Sequence, residues 1–446
     1  MRLGAVQRKG IGMGNRYDAI IIGAGIIGTS VGFELAKKGW KTLNVDALPA
    51  AGYGSTGNSC AHIRLHYSTY DGAAIAYEGY RYWTDWANHL GVEDERGLAN
   101  YVATGCIVIK TEFNNYLKPL CENLDRMGIE WEDWDAERIR KKLPVIDHHQ
   151  FAPPRRPDDP GFGEPSPNPV AGAIYYEKGG YIDDPQLSAH NVQRAAEAKG
   201  GAFRFNAKVM EIRRERGRTV GVTLASGETI DAPVVVNVAG PHSFVVNRMA
   251  DVEKGMKIKT RALKHEVCHL PAPDGFEFGK DGFMLNDSDI GCYYRSTGRN
   301  QILVGSTDPK CDKREWVDPD TFDRNFTEQW TVQAQRLAQR FPSLRIPSHA
   351  KGVVDLYDVS DDWIPIYDKS DLPGFYMAVG TSGNQYKNGP VAGALMAELI
   401  ERCEGGLDHD AEPLQFKMKC TGLTINAGFY SRLRTINPKS SFSVMG

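Results

Sequence analysis

The sequence predicts an α/β (α+β) fold in which a Rossmann-type dinucleotide-binding domain is interrupted by an inserted, sheet-rich domain. Two observations predict this arrangement. Residues 17–46 show a short apolar strand, a glycine turn, a helix and a second strand, and a similar pattern returns over residues 375–402. Between them lies a block at 257–345 that is rich in predicted strands, with one helix expected around 319–340. The dinucleotide-binding domain is therefore expected to be discontinuous in sequence.

The glycine turn is the most specific motif in the chain. Gly23, Gly25 and Gly28 form a Gly-x-Gly-x-x-Gly pattern after the first apolar strand, and a helix is predicted over 29–38. In such a turn the first glycine allows the tight bend, the second lets the backbone approach a pyrophosphate, and the third packs helix on strand. Asp46 ends the next strand, where a carboxylate can accept hydrogen bonds from ribose hydroxyls. Strand, turn, helix and acid together predict a dinucleotide site rather than a structural glycine turn.

Other predicted elements fill the middle of the chain. Helices are expected at 70–90 and 113–127, with a third from about 180 to 199, and strands are expected at 102–110, 202–205, 208–215, 219–224 and 228–238. The last of these strands is almost continuously apolar and stops just before Gly240. Because ligands bind at the carboxyl ends of parallel strands, Gly240 is a second predicted contact with the dinucleotide.

One segment has an unusual density of proline. Residues 153–169 contain seven prolines in seventeen positions, which excludes the interior of a helix or a sheet. The segment is expected to be a long loop, either a lid-like functional excursion or a surface insertion.

The composition excludes several classes of protein. A net charge of −3 offers no basic field for nucleic acid, and no apolar run approaches the roughly 20 residues of a bilayer span. Eight cysteines without a Cys-x-x-Cys pair argue against a disulfide framework or a metal site, and favour reduced thiols in a cytoplasmic location. Residues 1–15 lack the apolar core of a secretory signal and are expected to be a disordered leader rather than a transit peptide.

Four segments carry a resemblance to a known family. They are residues 20–28 with Asp46, residues 54–64, residues 234–240, and residues 355–365 continuing to 380–387. In this order they resemble the FAD-dependent amine oxidoreductases of the D-amino acid oxidase superfamily, and within it the branch of sarcosine oxidase and dimethylglycine dehydrogenase. Because the segments span nearly the whole chain, the match is more specific than the glycine turn alone.

The resemblance implies that the dinucleotide is FAD, held in a glutathione-reductase-like domain and covered by the antiparallel sheet of a substrate domain. The implied FAD-binding domain comprises residues 16–100, 172–245 and 346–430, the substrate domain residues 101–171 and 246–345, and a tail follows at 431–446. Together with the motifs above, it assigns cofactor contacts to Gly23, Gly25, Ile26, Ile27, Gly28, Asp46, Ala47, Ser55, Thr56, Ser59, Val209, Gly240, Gly380, Ser382, Gly383, Asn384, Gln385 and Lys387.

Two cations are the candidate substrate-binding residues. The family's oxidases end the segment after the Gly-Ser turn in an arginine that binds the substrate carboxylate, which corresponds here to Arg64. A lysine later in the family's sequence completes the clamp and corresponds to Lys387. A guanidinium fork with an ammonium group is a sound receptor for a carboxylate. Tyr294 and Tyr386, with Arg295, are also placed around the pocket, although ordinary sheet packing is an equal alternative for them.

Departures from the family's pattern are informative as well. Gly57 and Asn58 stand where some relatives attach FAD through a histidine, and Asp355 stands where others use a cysteine, so non-covalent FAD is expected. Some oxidases place a lysine over the flavin to assist oxygen, and the matching strand here offers Leu303, which favours a dehydrogenase. Asn384 replaces a histidine of the family, so the substrate is not fixed by the resemblance.

The function implied is FAD-dependent oxidation of the C–N bond in a secondary or tertiary, N-methylated amino acid. The substrate's hydride passes to flavin N5, and the resulting imine is hydrolysed. Two alternatives stay open: a 2-hydroxy acid dehydrogenase, and a flavin subunit of a hetero-oligomeric electron-transfer complex. The expected partners are a small amine or amino acid with a carboxylate and an unidentified electron acceptor, in a homo-oligomer or a hetero-oligomer, with neither nucleic acid nor a membrane span.

Overall fold

The computed structural model describes residues 16–112, 114 and 117–446. The predicted leader at 1–15 and part of the helix predicted over 113–127 lie outside these residues. The α-helices within the described part are Ile26–Lys37, Tyr70–Thr84, Trp86–Leu90, Leu117–Arg126, Ala136–Lys142, Pro185–Ala198, Ser243–Met249, Phe278–Asp281, Glu328–Arg340 and Gly389–Glu404.

The first of two large sheets is built from parts of the chain that are distant in sequence. Its six strands lie in the order Ile366–Lys369, Phe375–Val379, Val234–Asn237, Ala19–Ile22, Thr42–Val45 and Ala202–Arg204. All neighbours are parallel except Ile366–Lys369, which runs antiparallel at the edge. The predicted return of the α/β pattern therefore completes the same sheet that the first strand begins.

This sheet is buried on both faces. Ala19 and Ile21 pack toward a core shared with the helices Ile26–Lys37 and Gly389–Glu404. Ile20 and Ile22 point the other way, because successive strand residues alternate between faces. That second face packs on a three-stranded sheet of Val209–Glu215, Arg218–Leu224 and Thr229–Asp231. Burial on both faces explains why the strand sequences are continuously apolar rather than alternating.

The second large sheet has nine strands. They lie in the order Glu315–Trp316, Thr260–Pro271, Gln301–Ser306, Cys292–Ser296, Met284–Asp287, Cys106–Ile109, Ala173–Tyr176 and Glu132–Trp134, with Gly352–Ser360 also paired to Thr260–Pro271. The sheet was expected to be antiparallel, but Met284–Asp287 and Cys106–Ile109 are parallel. This pair is the place where two separate stretches of the chain join, so no hairpin turn constrains their relative direction.

Smaller sheets complete the described strands. Tyr101–Ala103, Gly180–Ile182 and His62–Ile63 form a three-stranded sheet, and Gln415–Lys417 pairs with Thr424–Asn426. The predicted domain ranges stay a prediction. Two strands within the ranges predicted for FAD binding, Ala173–Tyr176 and Gly352–Ser360, pair with the nine-stranded sheet.

Several predicted boundaries differ from the structure. The first helix begins at Ile26 rather than residue 29, so Gly28 lies inside the helix. The helix predicted over 70–90 is divided at Asp85, whose φ and ψ of −128° and 39° are not helical. The helix expected from about 319 begins at Glu328, where the Thr327 hydroxyl accepts from the backbone N–H of Gln329.

The proline-rich segment packs against the helix Glu328–Arg340. Arg336 donates through Nε to the carbonyl oxygen of Arg155 at 2.9 Å, and the backbone N–H of Gly163 donates to Gln339. The buried side chain of Arg340 donates to the carbonyl oxygens of Asp147 and His149, which precede the segment. These contacts are those of a docked surface insertion, one of the two alternatives that the sequence left open.

Two further findings concern membrane-spanning helices and thiols. Within the described part of the chain, no helix combines the length and apolar character needed to cross a membrane. All eight cysteines are free thiols.

We expect Arg340→Ala to lower the free energy of unfolding by about 3–5 kcal/mol, because it leaves buried carboxylates without their cation. Arg340 Nε lies 2.8 Å from Asp287 Oδ2, and Nη2 lies 2.8 Å from Asp289 Oδ2. Urea denaturation of the holoenzyme, followed by tryptophan fluorescence, measures the loss. Arg345→Ala is the matched control, because its side chain is 79% exposed in a pair with Asp274, and it should cost at most about 1 kcal/mol. Equal losses in the two variants would contradict the importance of this buried ion pair.

Candidate active site

One cavity of about 800 Å³ is lined both by the glycine turn and by the predicted carboxylate-binding residues. Gly23, Gly25 and Gly28 line it, and so do Arg64 and Lys387. Strands of the nine-stranded sheet form a further wall. A cavity of this volume, lined by a glycine turn and by two cations, suits a dinucleotide beside a small anionic ligand.

The glycine turn leaves no room for side chains. Gly23 has a φ of +123°, and a Cβ atom there would lie 2.3 Å from the carbonyl oxygen of Val238. A Cβ at Gly28 would lie 2.3 Å from the Gly23 carbonyl oxygen, and one at Gly25 would lie 2.9 Å from Thr56 Oγ1. Each glycine therefore permits a close backbone approach, and the turn presents the N-terminus of the helix Ile26–Lys37 to the cavity. A helix N-terminus in this position favours a phosphate group.

Asp46 is held against the glycine turn. Its Oδ2 atom accepts from the backbone N–H of Ala24 at 2.7 Å, and its Oδ1 atom accepts from that of Leu48 at 2.8 Å. Burial raises the pKa of this carboxyl group, and the two backbone hydrogen bonds oppose that shift. Each oxygen keeps a second lone pair, so the carboxylate can still accept from a ribose hydroxyl.

Most of the other predicted cofactor residues also line the cavity. They are Ile26, Ile27, Ala47, Ser55, Thr56, Ser59, Val209, Gly240, Gly383, Asn384 and Gln385. Gly380 and Ser382 do not. The side chain of Ser382 is fully buried and donates to the carbonyl oxygen of Gly380 at 3.0 Å. These two residues shape the turn that carries the lining residues, which is why the sequence pattern included them.

The two positions where relatives attach FAD lie next to each other. The side-chain amide of Asn58 donates to Asp355 Oδ2 at 2.8 Å, and both residues line the cavity. The neighbouring Ser55 hydroxyl donates to the carbonyl oxygen of Leu356 at 2.9 Å. A hydrogen-bonded amide and carboxylate thus replace the histidine and cysteine of relatives, and neither can form the usual bond to the flavin.

The two predicted cations come together on the lining of the cavity. The Cζ atom of Arg64 lies 4.6 Å from the centre of the Tyr67 ring, and the Nζ atom of Lys387 lies 4.8 Å from it. Arg64 donates to the carbonyl oxygens of His66 and Val444, and Lys387 donates to that of Asn384 at 2.7 Å. Their exposed fractions are 5% and 2%. Among the described residues, neither cation forms an ion pair with a carboxylate.

The surroundings of these cations disfavour further positive charge. Burial lowers the pKa of Lys387 well below its usual value, and the charge of Arg64 lowers it further. Burial, together with Arg64 and Lys387, also lowers the pKa of His62 and of His66, so both imidazoles are neutral near neutral pH. An anion bound here would reverse these effects, because opposite charge stabilises the protonated forms.

Unpaired polar atoms also point to a ligand. The Nε2 atoms of His62 and His66 and the Nδ2 atom of Asn384 are buried without a hydrogen-bond partner among the described residues. All three residues line the cavity. Because buried polar atoms are nearly always satisfied, these atoms indicate that the cavity is built to hold polar groups of a ligand.

An aromatic cluster on the sheet wall was missed by the sequence analysis. Tyr293 and Tyr357 approach at 3.2 Å between their hydroxyl oxygens, and His265 stacks on Tyr357 with 4.3 Å between ring centres. All three residues line the cavity. Tyr294, the predicted residue of this strand, lies instead in the apolar core behind the sheet and donates to Asp287 at 3.3 Å. The prediction was one residue out of register, which reverses the face of a strand.

Three other predicted positions have mixed outcomes. Tyr386 lines the cavity, and its hydroxyl lies 2.8 Å from Ser188 Oγ. Arg295 is outside the lining but donates through Nε to the carbonyl oxygen of Cys60 at 2.7 Å. Leu303 is buried in Gln301–Ser306 on the same sheet face as Tyr293, but it is not among the residues that line the cavity.

The comparisons with known proteins agree with this geometry. A family model described as "DAO: FAD dependent oxidoreductase" matches residues 18–399. The beta subunit of sarcosine oxidase from Rhodobacter capsulatus is 25% identical over 398 residues, covering 87% of this chain and 85% of that protein. Glycine oxidase from Geobacillus kaustophilus is 23% identical over 430 residues, covering 89% of this chain and 96% of that protein.

Solved structures confirm the predicted fold class. L-proline dehydrogenase from P. horikoshii has a TM-score of 0.73 at 19% identity and covers 94% of this chain and 97% of its own. Glycine oxidase from Geobacillus kaustophilus has a TM-score of 0.69 at 19% identity, with 95% and 100% covered. The glycine turn and the cavity fit FAD as the cofactor. Since the family model spans most of the sequence, this chain belongs to the DAO family of FAD-dependent oxidoreductases.

Proposed function

We propose that this protein oxidises the C–N bond of a secondary or tertiary, N-methylated amino acid. The observation that carries the proposal is the pair of buried cations on the lining of the cavity, Arg64 and Lys387, which have no carboxylate partner among the described residues. Two buried positive groups side by side require an anion to balance them. The carboxylate of an amino acid meets that requirement, and the relatives named above are proteins of amino acid oxidation.

The chain's own residues bind and orient the substrate. Arg64 has five N–H donors in a planar fork, so a carboxylate can bind it while its contacts to backbone carbonyls remain. Lys387 contributes a point charge from the turn that carries Gly383 and Asn384. FAD, when bound, supplies the hydride acceptor. By fixing the carboxylate, Arg64 and Lys387 would restrict the orientation of the C–N bond in the cavity, and such positioning accounts for a large part of the rate.

The same residues favour the reactive form of the substrate. Hydride transfer needs an amine with a free lone pair, and nearby positive charge lowers the pKa of a bound amine. Arg64 and Lys387 supply that charge once the carboxylate is in place. The unpaired Nε2 atoms of His62 and His66 can exchange a hydrogen bond with the amine, although the lowered pKa values of both imidazoles make them poor acceptors of its proton.

We further propose that the enzyme is a dehydrogenase rather than a fast oxidase. The support is no longer Leu303 but the composition of the sheet wall. The strands that line the cavity contribute His265, Val267, Tyr293 and their neighbours, and among the described residues these strands place no lysine or arginine on it. An imidazole held neutral by burial provides less charge stabilisation for reduced oxygen than a lysine would.

Two alternatives use the same carboxylate-binding end. A 2-hydroxy acid dehydrogenase would bind its substrate through Arg64 and Lys387 in the same way. A flavin subunit of a hetero-oligomer is suggested by the relative from Rhodobacter capsulatus, which is named as a subunit. Purification with a partner chain, and no turnover with dyes when alone, would favour the second alternative.

A substrate panel tests the reaction class. We expect anaerobic bleaching of the oxidised flavin by N-methylated amino acids, because these carry both the carboxylate and the oxidisable amine. The panel should include the parent amino acids, amines without a carboxylate and 2-hydroxy acids. Bleaching by 2-hydroxy acids alone would replace the proposal with the first alternative.

Removing the guanidinium tests the clamp. We expect Arg64→Ala to raise the KM about ten- to hundredfold, since a hydrogen bond to a charged group contributes roughly 1.5–3 kcal/mol. Steady-state kinetics with a dye acceptor measure the change, and flavin content shows that the fold is retained. Arg81→Ala, an exposed arginine on the helix Tyr70–Thr84, is the matched control. An unchanged KM in Arg64→Ala would exclude the clamp.

Reaction with air tests the dehydrogenase proposal. We expect enzyme reduced by its substrate to regain the oxidised flavin spectrum slowly on mixing with air-saturated buffer, because no lysine of the described residues lies on the sheet wall. Stopped-flow absorbance gives the rate. Reoxidation as fast as turnover with dye would identify an oxidase instead.

A further inference from the structure

Residues 441–446 reach into the active site, although the sequence analysis gave this tail no role. Arg64 Nη2 donates to the carbonyl oxygen of Val444 at 2.8 Å. The Ser68 hydroxyl donates to a main-chain oxygen of Gly446 at 3.0 Å, and Arg314 Nη2 donates to the carbonyl oxygen of Phe442 at 2.6 Å. The segment is thus held at three points, each time through a main-chain oxygen rather than a side chain.

Further contacts fix the end of this segment beside the two cations. Gly446 has a φ of +82°, and a Cβ atom there would lie 2.4 Å from the Tyr67 ring. This is the ring shared by Arg64 and Lys387. Burial raises the pKa of Asp308 to about 7, whereas the charge of Arg314 and the backbone N–H of Val444, which faces this carboxyl group, lower it. Both the N–H and the carbonyl of Val444 therefore meet polar side chains.

The side chains of the segment face inward. Val444 and Met445 are each 6% exposed, pack with Tyr293 and Trp363, and line the cavity. Phe442, by contrast, is 37% exposed. Because the attachment uses backbone atoms, the two inward side chains can be exchanged without removing any of the three hydrogen bonds. They are therefore free to define the shape of the wall beside Arg64.

We propose that residues 441–446 form the wall of the substrate pocket next to the carboxylate-binding arginine, and that Val444 and Met445 determine which substrate side chains fit. The inference rests on the proposed function. Arg64 donates to the carbonyl oxygen of Val444, so a carboxylate bound to the same guanidinium group lies close to this residue. The substituents on the α-carbon of the substrate then contact the wall. Specificity then comes from apolar contacts of two residues distant in sequence from every motif of the family.

Substitutions that enlarge the pocket test the proposal without requiring turnover. The probes are acetate, butyrate and cyclohexanecarboxylate, whose binding is followed through the absorbance change of the bound flavin. In Val444→Ala, Met445→Ala and the double variant, we expect the affinity for cyclohexanecarboxylate relative to acetate to rise about tenfold, because a methylene in an apolar pocket changes binding by roughly 10- to 200-fold. Val444→Phe should lower the same ratio.

Controls separate this effect from a loss of structure. Ile436→Ala removes an apolar side chain that is 54% exposed, a few residues before the segment, and should leave the ratio unchanged. Flavin content and melting temperature are measured for every variant. A ratio within twofold of the parent in the double variant, with flavin retained, would overturn the proposal.

A chain ending at Ser440 gives an independent measurement. In this shortened chain we expect acetate still to bind through Arg64, whereas the difference in affinity between small and large carboxylates is lost. In this shortened chain, Arg64→Ala should still weaken acetate binding if the arginine reads the carboxylate. If Arg64 serves only to hold the segment, the substitution will have no further effect.

The outcomes distinguish this inference from the proposed function. Carboxylate binding with altered size ratios, but no reduction of the flavin by any amino acid, would contradict the proposed function alone. If N-methylated amino acids reduce the flavin but the ratio of cyclohexanecarboxylate to acetate affinity is unaltered in the variants, only the proposed role of residues 441–446 is contradicted. If no carboxylate perturbs the flavin of the parent protein, both are overturned.

Discussion

The site depends on one electrostatic constraint, the placement of two buried cations on the ring of Tyr67 without a carboxylate of the described residues to neutralise them. Arg64 follows the loop after the second strand, and Lys387 follows a strand near the other end of the chain. Each is tolerated because it donates to backbone carbonyls and lies over an aromatic face. That arrangement satisfies some of the donors and leaves others, together with the positive charge, for a bound anion.

Hydrogen bonds join two walls of the cavity. Asn58 and Ser55 belong to the loop after the strand Thr42–Val45, and they bond to Asp355 and Leu356 of the nine-stranded sheet. The positions that carry the covalent flavin link in relatives are here a contact between protein side chains. The loop and the nine-stranded sheet therefore hold each other in place on the lining of the cavity.

Local requirements made much of the fold and of the dinucleotide end predictable. Gly23, Gly25 and Gly28 are needed because a Cβ would collide with backbone or with Thr56, and such a need is visible in the sequence itself. The continuous apolar strands were recognisable for a similar reason. Residues whose role depends on distant partners were not recognisable. Tyr293 and Tyr294 are adjacent and chemically alike, and only the pairing of the sheet decides which one reaches the cavity.

The same reasoning explains the other differences. The position of Leu303 depended on matching one strand to its counterpart in relatives, and a sheet of nine strands offers several similar candidates. Val444 and Met445 belong to no motif, since the segment that carries them is held through main-chain oxygens that any sequence provides. Predictions were therefore best where a residue type is required by its immediate neighbours, and poorest where any apolar side chain would serve.

The order of strands in the six-stranded sheet has a consequence for how the protein is made. Val234–Asn237 lies between Ala19–Ile22 and Phe375–Val379, so the centre of the sheet contains strands from the beginning, the middle and the end of the chain. Contacts between residues so far apart in sequence form slowly, because the entropy of closing a long loop is lost before the contacts contribute any stabilising free energy. During synthesis the first strand can pair early with Thr42–Val45, but its other neighbour, Val234–Asn237, and the helix Gly389–Glu404 that packs on Ile26–Lys37 are made much later, so part of the apolar surface stays uncovered until then. Assistance from chaperones, or early capture of the cofactor, would be of most use to this protein in that interval.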